Sequence, residues 1–322
     1  MSTRAQADLR TEVTDDEATR PRRSLWGSVW ARLRRNRPAM AGLIIVILMY
    51  LTAIFAPLIA PYEFDEINLE NVIARPSLEH PMGTDELGRD VFSRVVWAAR
   101  SAAFVSIAVT AFGLTLGIFF GVLSGYLGGW VDTLIMRVGD VLFAFPGLLF
   151  VFFIAATIKP GLTAWLKGVG LGDVARSDYL DYLVVIIALS LVGWPGLARL
   201  IRGQLLSLKR REYILAAQAI GVPTWRIMLR HLLPNSMPPV IVAVSGGMGA
   251  IILSEATLSF LGIGLQPPNP SWGAMLFQYY PYWRHASLWP LLFIPAAILV
   301  IVVLAFSFLG DGLNEALNPQ LD

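Results

Sequence analysis

The 322-residue chain is 56% hydrophobic and only 15% charged, against roughly 25% charged in an ordinary soluble domain, which excludes a water-soluble globule. Twenty-five Lys and Arg against 23 Asp and Glu leave a net charge of +2, so no excess of either sign points to nucleic acid or an acidic partner. The absence of cysteine removes disulfides, thiolate metal sites and cysteine nucleophiles, and the three scattered histidines, His80, His231 and His285, have no metal-binding spacing.

Residues 1–23 read as disordered. From Ser24 to Arg37 the pattern changes: Trp26, Val29, Trp30 and Leu33 recur at helical spacing while Arg32, Arg34, Arg35 and Arg37 carry charge. This suits a short helix on the anionic inner leaflet, the simpler alternative being a basic flank. The tail is too polar ahead of the first apolar stretch for a cleaved leader, so the first span is expected to stay as an anchor.

A membrane helix needs roughly 20 apolar residues, and the gaps between charges supply six. They run from Pro38 to Tyr62, Ser101 to Val131, Val141 to Ile158, Tyr182 to Ala198, His231 to Ser254 and Ala286 to Gly310. Ala256 to Trp283 is also uncharged, but Gln266, Pro267, Pro268, Asn269, Pro270 and Ser271 mark it as a connecting loop. Lys and Arg favour cytoplasmic loops. Placing both termini inside puts 17 of them on that side and eight outside. The result is an all-α membrane protein with six transmembrane helices. A cytoplasmic tail covers 1–38, a first transmembrane helix 39–61, an extracytoplasmic segment 62–100, a membrane core 101–310 and a cytoplasmic tail 311–322.

In the outer segment Thr84 is placed to cap a helix with Asp85 and Glu86 in its first turn, and Leu87, Val91, Val95 and Ala99 as its apolar face. That helix would lie along the outer interface until the chain enters the second span at Ser101. Within the second span, Gly113, Gly117, Gly121 and Gly125 fall at successive turns, a bare stripe suited to helix packing. Ser245 to Ala250 repeats the theme in the fifth span; it has no following Lys and no preceding strand, so it does not read as a phosphate loop. Pro146 and Pro195 predict kinks in the third and fourth spans, which can shape a pore or fit neighbours. Asp132, Arg137 and Asp140 flank the inner end of the third span as interfacial anchors.

Ionisable groups inside a bilayer usually mark ion-driven transport, and no relay of them is visible. Glu255 lies roughly 27 Å along the fifth helix from Met237, counted at about 1.5 Å per residue. With Ser259 one turn on, it is a candidate for the translocation path or an outer gate, or else an ordinary helix-end carboxylate.

The longest basic segment runs from Arg199 to Asn235. Its composition is helical: Leu215 to Ile220 favour helix, Gly221, Val222 and Pro223 supply a stop and restart, and Pro234 is expected to close the second piece. Two short helices fixed to two spans can pass force from a cytoplasmic partner into the membrane, and the small Ala216 and Ala217 let that partner come near.

Here a resemblance enters. Ala216, Ala217, Gly221, Leu233 and Pro234 occupy the spacing E-A-A-x3-G-x9-I-x-L-P, the "EAA" loop of membrane subunits of binding-protein-dependent ATP-binding-cassette importers. Leu215 replaces the usual Glu and His231 the usual Ile; Glu212, one turn earlier, could substitute for the former. Gly83, Thr84, Asp85, Gly88, Arg89 and Asp90, within His80 to Asp90, resemble the HPxGTDxxGRD segment of the C-type permease of dipeptide, oligopeptide and nickel importers. Ser254 to Gly262, Pro267 to Gly273 and Gly310 to Asn314 resemble its SEAxLSFLG, PPxPSWG and GDGL segments. The resemblance implies one amino-terminal helix added to a five-helix MetI-like type I importer core, with a coupling loop at 205–234. It also implies a second, homologous permease subunit, two cytoplasmic ATP-binding subunits holding ATP and Mg, and an extracytoplasmic solute-binding protein, in the plasma membrane of a prokaryote. This chain would bind no cofactor and catalyse nothing, in keeping with its lack of a G-x4-G-K-[ST] phosphate loop. Peptide is the expected cargo, with nickel or another small solute as the alternative. Of other classes, an ion-coupled carrier lacks buried charges, and an intramembrane hydrolase lacks a base near Ser245, Ser254 or Ser259.

Overall fold

The computed structural model describes residues 25–176, 179–285 and 288–317; the expected disorder over 1–23 and the last residues of the tail lie outside them. Ten helices organise the description. They are α1 (Leu25–Leu33), α2 (Arg37–Ile54), α3 (Val91–Leu127), α4 (Gly129–Phe143), α5 (Gly147–Gly168), α6 (Tyr179–Leu208), α7 (Glu212–Ala219), α8 (Leu233–Phe260), α9 (Trp272–Tyr279) and α10 (Trp289–Leu317). Among the described residues, six helical stretches are long and apolar enough to cross a membrane: α2, α3, α5, α6, α10 and a continuous run from Thr224 to Phe260 that contains α8. The described residues form no strand.

Local chemistry sets several boundaries. Asn36 caps α2, its Oδ1 accepting from the Ala39 N–H at 3.0 Å with Pro38 in the first turn. Asp90 caps α3 by accepting from the Ser93 N–H at 2.7 Å, and Gly128, at φ +65°, ends that helix. At 37 residues, α3 is about 55 Å long at roughly 1.5 Å per residue, so it outreaches the hydrocarbon layer. That corrects the expected outer interfacial helix: the apolar Val91, Val95 and Ala99 open the second span itself, buried against the first and last spans.

The proline expectations are also revised. Pro146 stands at the N-cap of α5, outside the helix, so the third span runs from Gly147 to Gly168 and the chain from Gly129 to Phe143 is the separate helix α4. Pro195 does sit inside α6. Pro234 does not close a helix but stands in the first turn of α8, which a π-helical turn over Met228–Leu232 joins without a break to Thr224–Ile227. The presumed loop of 256–283 is helical to Phe260 and again over α9, whose start is capped by Ser271.

The bundle is held by α3 against α6, α8 against α10, and α2 against α10 and α3. Close approach is built from small residues: a Cβ on Gly310 would lie 2.6 Å from the Gly246 Cα, so α8 and α10 cross backbone to backbone there. α1 docks on the C-terminal end of α10, with Leu33, Ala39 and Ala316 buried together and Asn36 Nδ2 donating to Glu315 at 2.7 Å.

Candidate functional site: a central cavity and a projecting handle

A cavity of about 520 Å³ opens among α3, α5, α6 and α8. Its wall is made of backbone and small side chains, with Gly113, Gly147, Gly193, Gly196 and Gly247 beside Val109, Val151 and Leu189. No charged side chain lines it among the described residues; Thr110, Ser190 and Ser254 are its polar groups, and the Thr110 Oγ1 is buried without a hydrogen-bond partner. Such a wall offers a polar, uncharged solute a few hydroxyls and no fixed ion.

The glycine stripe therefore divides. A Cβ on Gly121 would meet the Ala198 carbonyl at 2.8 Å and the Ile201 Cβ at 2.9 Å, and Gly117 and Gly125 similarly face Leu197 and Leu205 of α6. Gly113 has nothing within 4 Å and faces the cavity. Sequence spacing does not distinguish the two roles, because the turn at which α6 diverges is a tertiary fact.

Glu255 is not among the residues that wall this cavity. Its side chain is buried and its Oε1 accepts from the Ser259 and Ser271 hydroxyls at 2.7 and 2.8 Å. Ser259 Oγ also accepts from the Leu265 N–H at 2.9 Å. The pair thus fixes the turn after α8 and the start of α9, and neighbouring Ser254 is the residue that reaches the cavity.

The segment from His80 to Asp90 is likewise a brace. Thr84 is not a helix cap: it faces Asp90 in an isolated bridge, its Oγ1 accepts from the Ala74 N–H at 2.8 Å, and it donates to the Asn71 carbonyl. Gly83 and Gly88 take φ of +77° and +71°, with backbone of Ala74 and Asn68 packed where a Cβ would be. Asp85, also buried, accepts from Arg89 Nε at 2.8 Å and Arg94 Nη1 at 2.5 Å, and Arg94 also donates to Gln278 Oε1 and Tyr279 Oη at 3.0 and 2.7 Å. Burial pushes the Tyr279 phenol up, so it stays neutral and available as acceptor and donor. His80 Nδ1 lies 3.0 Å from Asp90 Oδ1. Trp272 of α9 donates from Nε1 to the Val95 carbonyl at 3.2 Å, so the network clamps α9 to the N-terminal end of α3.

At the opposite end, α7 stops in a Schellman turn. The Gly221 N–H donates to the Gln218 carbonyl at 3.0 Å and the Val222 N–H to the Ala217 carbonyl at 3.1 Å, with Gly221 at φ +79°. Ile214, Ile227, Met228 and Leu232 bury against Ile201 and Leu205 of α6 and Val240 of α8, with Ala217 and Val222 at the edge. The other face is open: Tyr213, Leu215, Ile220, Trp225 and Leu229 are exposed, as is Ala216, while Leu233 is half-buried. An element seated on one apolar face and showing another is a rigid projection, not a linker. Leu215, which stands at the departure from the Glu pattern, belongs to that open face, and Glu212, in the first turn of α7, is exposed.

Around this handle, ion pairs tie α4 to α6. Arg202 grips Asp132 through two bonds of 2.5 Å, and Arg199 Nη2 lies 2.9 Å from Asp140 Oδ1. The Arg202 hydrogen bond holds the Asp132 carboxyl below its usual range, against a smaller desolvation effect. Lys209 donates to the Gly125 carbonyl at 2.6 Å, and burial draws its pKa down. Asp132 and Asp140 were legible only as anchors, because their partners lie some 60 to 70 residues along the chain.

Among the described residues no group of three His, Asp or Glu side chains is placed to hold a metal.

Comparison with known proteins gives the arrangement its family. The family described as "Binding-protein-dependent transport system inner membrane component" matches residues 117–322, and the "N-terminal TM domain of oligopeptide transport permease C" matches residues 24–81. The chain is 38% identical over 304 residues to the oligopeptide transport system permease protein OppC of Bacillus subtilis (strain 168), covering 92% of this chain and 90% of that one. It is 37% identical over 306 residues to the dipeptide transport system permease protein DppC of the same organism, covering 95% and 89%. It is also 40% identical over 306 residues to the glutathione transport system permease protein GsiD of Escherichia coli O157:H7, covering 93% and 92%. A chain from inward-facing structures of the MetNI methionine ABC transporter superposes with a TM-score of 0.50 at 18% identity, over 70% of this chain and 96% of that one, which supports the fold alone. With six helices able to span a membrane, four of which wall an uncharged cavity, the chain belongs to the binding-protein-dependent transport system inner membrane components and is a multi-pass permease subunit of an ATP-binding-cassette importer.

Proposed function

We propose that the central cavity is this subunit's half of a peptide translocation path, completed by a homologous second permease. Its hydroxyls and uncharged wall suit a peptide backbone, whose many donors and acceptors need partners while its side chains vary. Relatives named for oligopeptides, dipeptides and glutathione support that cargo class. Nickel or another small solute is the second reading, favoured by nothing in the cavity wall.

The observation that carries the mechanism is the two-faced handle: α7 and the turn after it are seated on α6 and α8 by one apolar face and offer Leu215, Ala216 and Ile220 on the other. In this reading a cytoplasmic ATP-binding subunit receives that face. Two such subunits bind ATP and Mg, and closure of the pair is passed through the buried Ile214, Ile227 and Leu232 to the helices walling the cavity. Both termini lie in the cytoplasm, the Asp85 network lies outside, and a solute-binding protein delivers cargo there. Purification of the tagged chain in mild detergent tests the assembly. A second permease and an ATPase pair should elute with it, and peptide uptake in vesicles should stop when ATP is withdrawn. Uptake sustained by an ion gradient without ATP would refute the reading.

A further inference from the structure

A second cavity, of about 420 Å³, lies beside α3 near its outer end, walled by Phe64, Trp97, Phe104, Tyr179 and Tyr182 with Arg100 among them. It is turned away from the central cavity. At about 100° per residue, Trp97, Arg100 and Phe104 share one face of α3, and Gly113, which lines the central cavity, points about 160° around the helix from Trp97. Phe104 and Tyr179 are exposed on this side, and the aromatic ring of residues sits where an interfacial belt belongs.

Among the described residues, two donors in the pocket lack a protein acceptor. The Trp97 Nε1 is buried without a hydrogen-bond partner. Arg100 is exposed, its Cζ 5.4 Å from the centre of the Trp97 ring, and it forms no ion pair among the described residues. A buried N–H without an acceptor is disfavoured until something supplies one. Indole and guanidinium groups only donate, so the complementary ligand is a negatively charged acceptor. Its remainder must be apolar enough to cover aromatic walls that face lipid. Cargo in the central path would not reach this side of α3, and a bare phosphate would leave the aromatic walls uncovered.

We propose that this pocket holds the headgroup phosphate of an anionic glycerophospholipid, accepted by Arg100 and the Trp97 N–H, with the glycerol and upper acyl chain against Phe104 and Tyr179. In the orientation proposed above this is an outer-leaflet lipid; the binding itself depends on neither the cargo nor the motor. Native mass spectrometry of the full chain, with whatever subunits co-purify, tests it after equilibration with equal amounts of phosphatidylglycerol and phosphatidylcholine. The wild type should retain a phosphatidylglycerol that Arg100→Gln, at an exposed position, and Trp97→Phe, which keeps a ring and removes the donor, each bind about tenfold more weakly. Arg75→Gln, in the outer loop away from the pocket, should retain it fully. Equal retention of phosphatidylcholine, unchanged retention in both variants, or displacement of the lipid by inorganic phosphate alone would overturn the proposal. So would a changed KM for peptide uptake in Arg100→Gln with lipid retention unaltered.

Discussion

Arg202 of α6 closes a two-bond clasp on Asp132 of α4, both contacts at 2.5 Å, on one of the two helices that seat the handle. The clasp keeps the first turn of α4 against the C-terminal end of α6. Asp132→Asn removes the charge without changing the shape and is expected to lower stability by about 1 kcal/mol, as for other partly exposed ion pairs. The exchanged pair, Asp132→Arg with Arg202→Asp, should recover part of it. Because the folded carboxyl titrates below its unfolded value, its contribution is complete above the unfolded pKa, near 3.9, and disappears as pH falls through the folded one. Thermal melts of the detergent-purified protein from pH 7 down to 3 should show this loss in wild type and not in Asp132→Asn.

The brace around Asp85 predicts a larger effect. Asp85→Ala leaves two guanidiniums, Arg89 and Arg94, buried without a carboxylate between them, a situation that costs about 3–5 kcal/mol. Loss of membrane-inserted protein is the readout. Tyr279→Phe removes only a hydroxyl and should cost about 1 kcal/mol, leaving folded protein with a lowered melting temperature.

Within one glycine stripe, two substitutions should fail differently. Gly121→Val drives a side chain into the Ala198 carbonyl and Ile201 and should prevent folding. Gly113→Phe enters open space and should leave membrane yield near that of wild type while blocking uptake. Equal yields for both variants would mean that the α3–α6 contact is not as close as described.

Buried Glu255 and cavity-lining Ser254 give a paired accessibility test. Ser254→Cys should react with a small membrane-impermeant thiol reagent, at a rate altered by ATP, whereas Glu255→Cys should stay unreactive in folded protein. Reaction at position 255 with protection at 254 would reverse the assignment made here.

Much of the fold was readable because membrane helices are dictated by the spacing of charge, a local property. Six apolar gaps became six spans, and the helix over Leu25–Leu33 followed the periodicity of Val29, Trp30 and Leu33. Boundaries were misread where a polar group serves a partner remote in sequence. Thr84, Asp85 and Glu86 have the composition of a capped helix start, yet Asp85 is committed to Arg94 and the loop around it, and the cap falls to Asp90. Pro234 looked like a stop, and a proline is equally at home in a first turn. The same limit explains Glu255, whose partner Ser271 lies 16 residues on, across a turn that no local pattern reveals. The stop at Gly221 was legible because a Schellman turn is made by consecutive residues.

That turn is also open to test. No atom lies within 4 Å of a Cβ at Gly221, so Gly221→Leu acts through its backbone: holding a non-glycine residue at φ +79° costs about 1–2 kcal/mol. The expected outcome is a protein that still inserts, with uptake lost because α7 is re-aimed. Normal uptake would remove the turn from the coupling route.

The account stands most directly on which side of the membrane the handle projects and what covers it. Ile220→Cys, at an exposed site on the open face, should be labelled by an impermeant maleimide in inside-out vesicles only, and co-expressed ATP-binding subunits should protect it. Labelling from the outer side, or full labelling with those subunits bound, would contradict it.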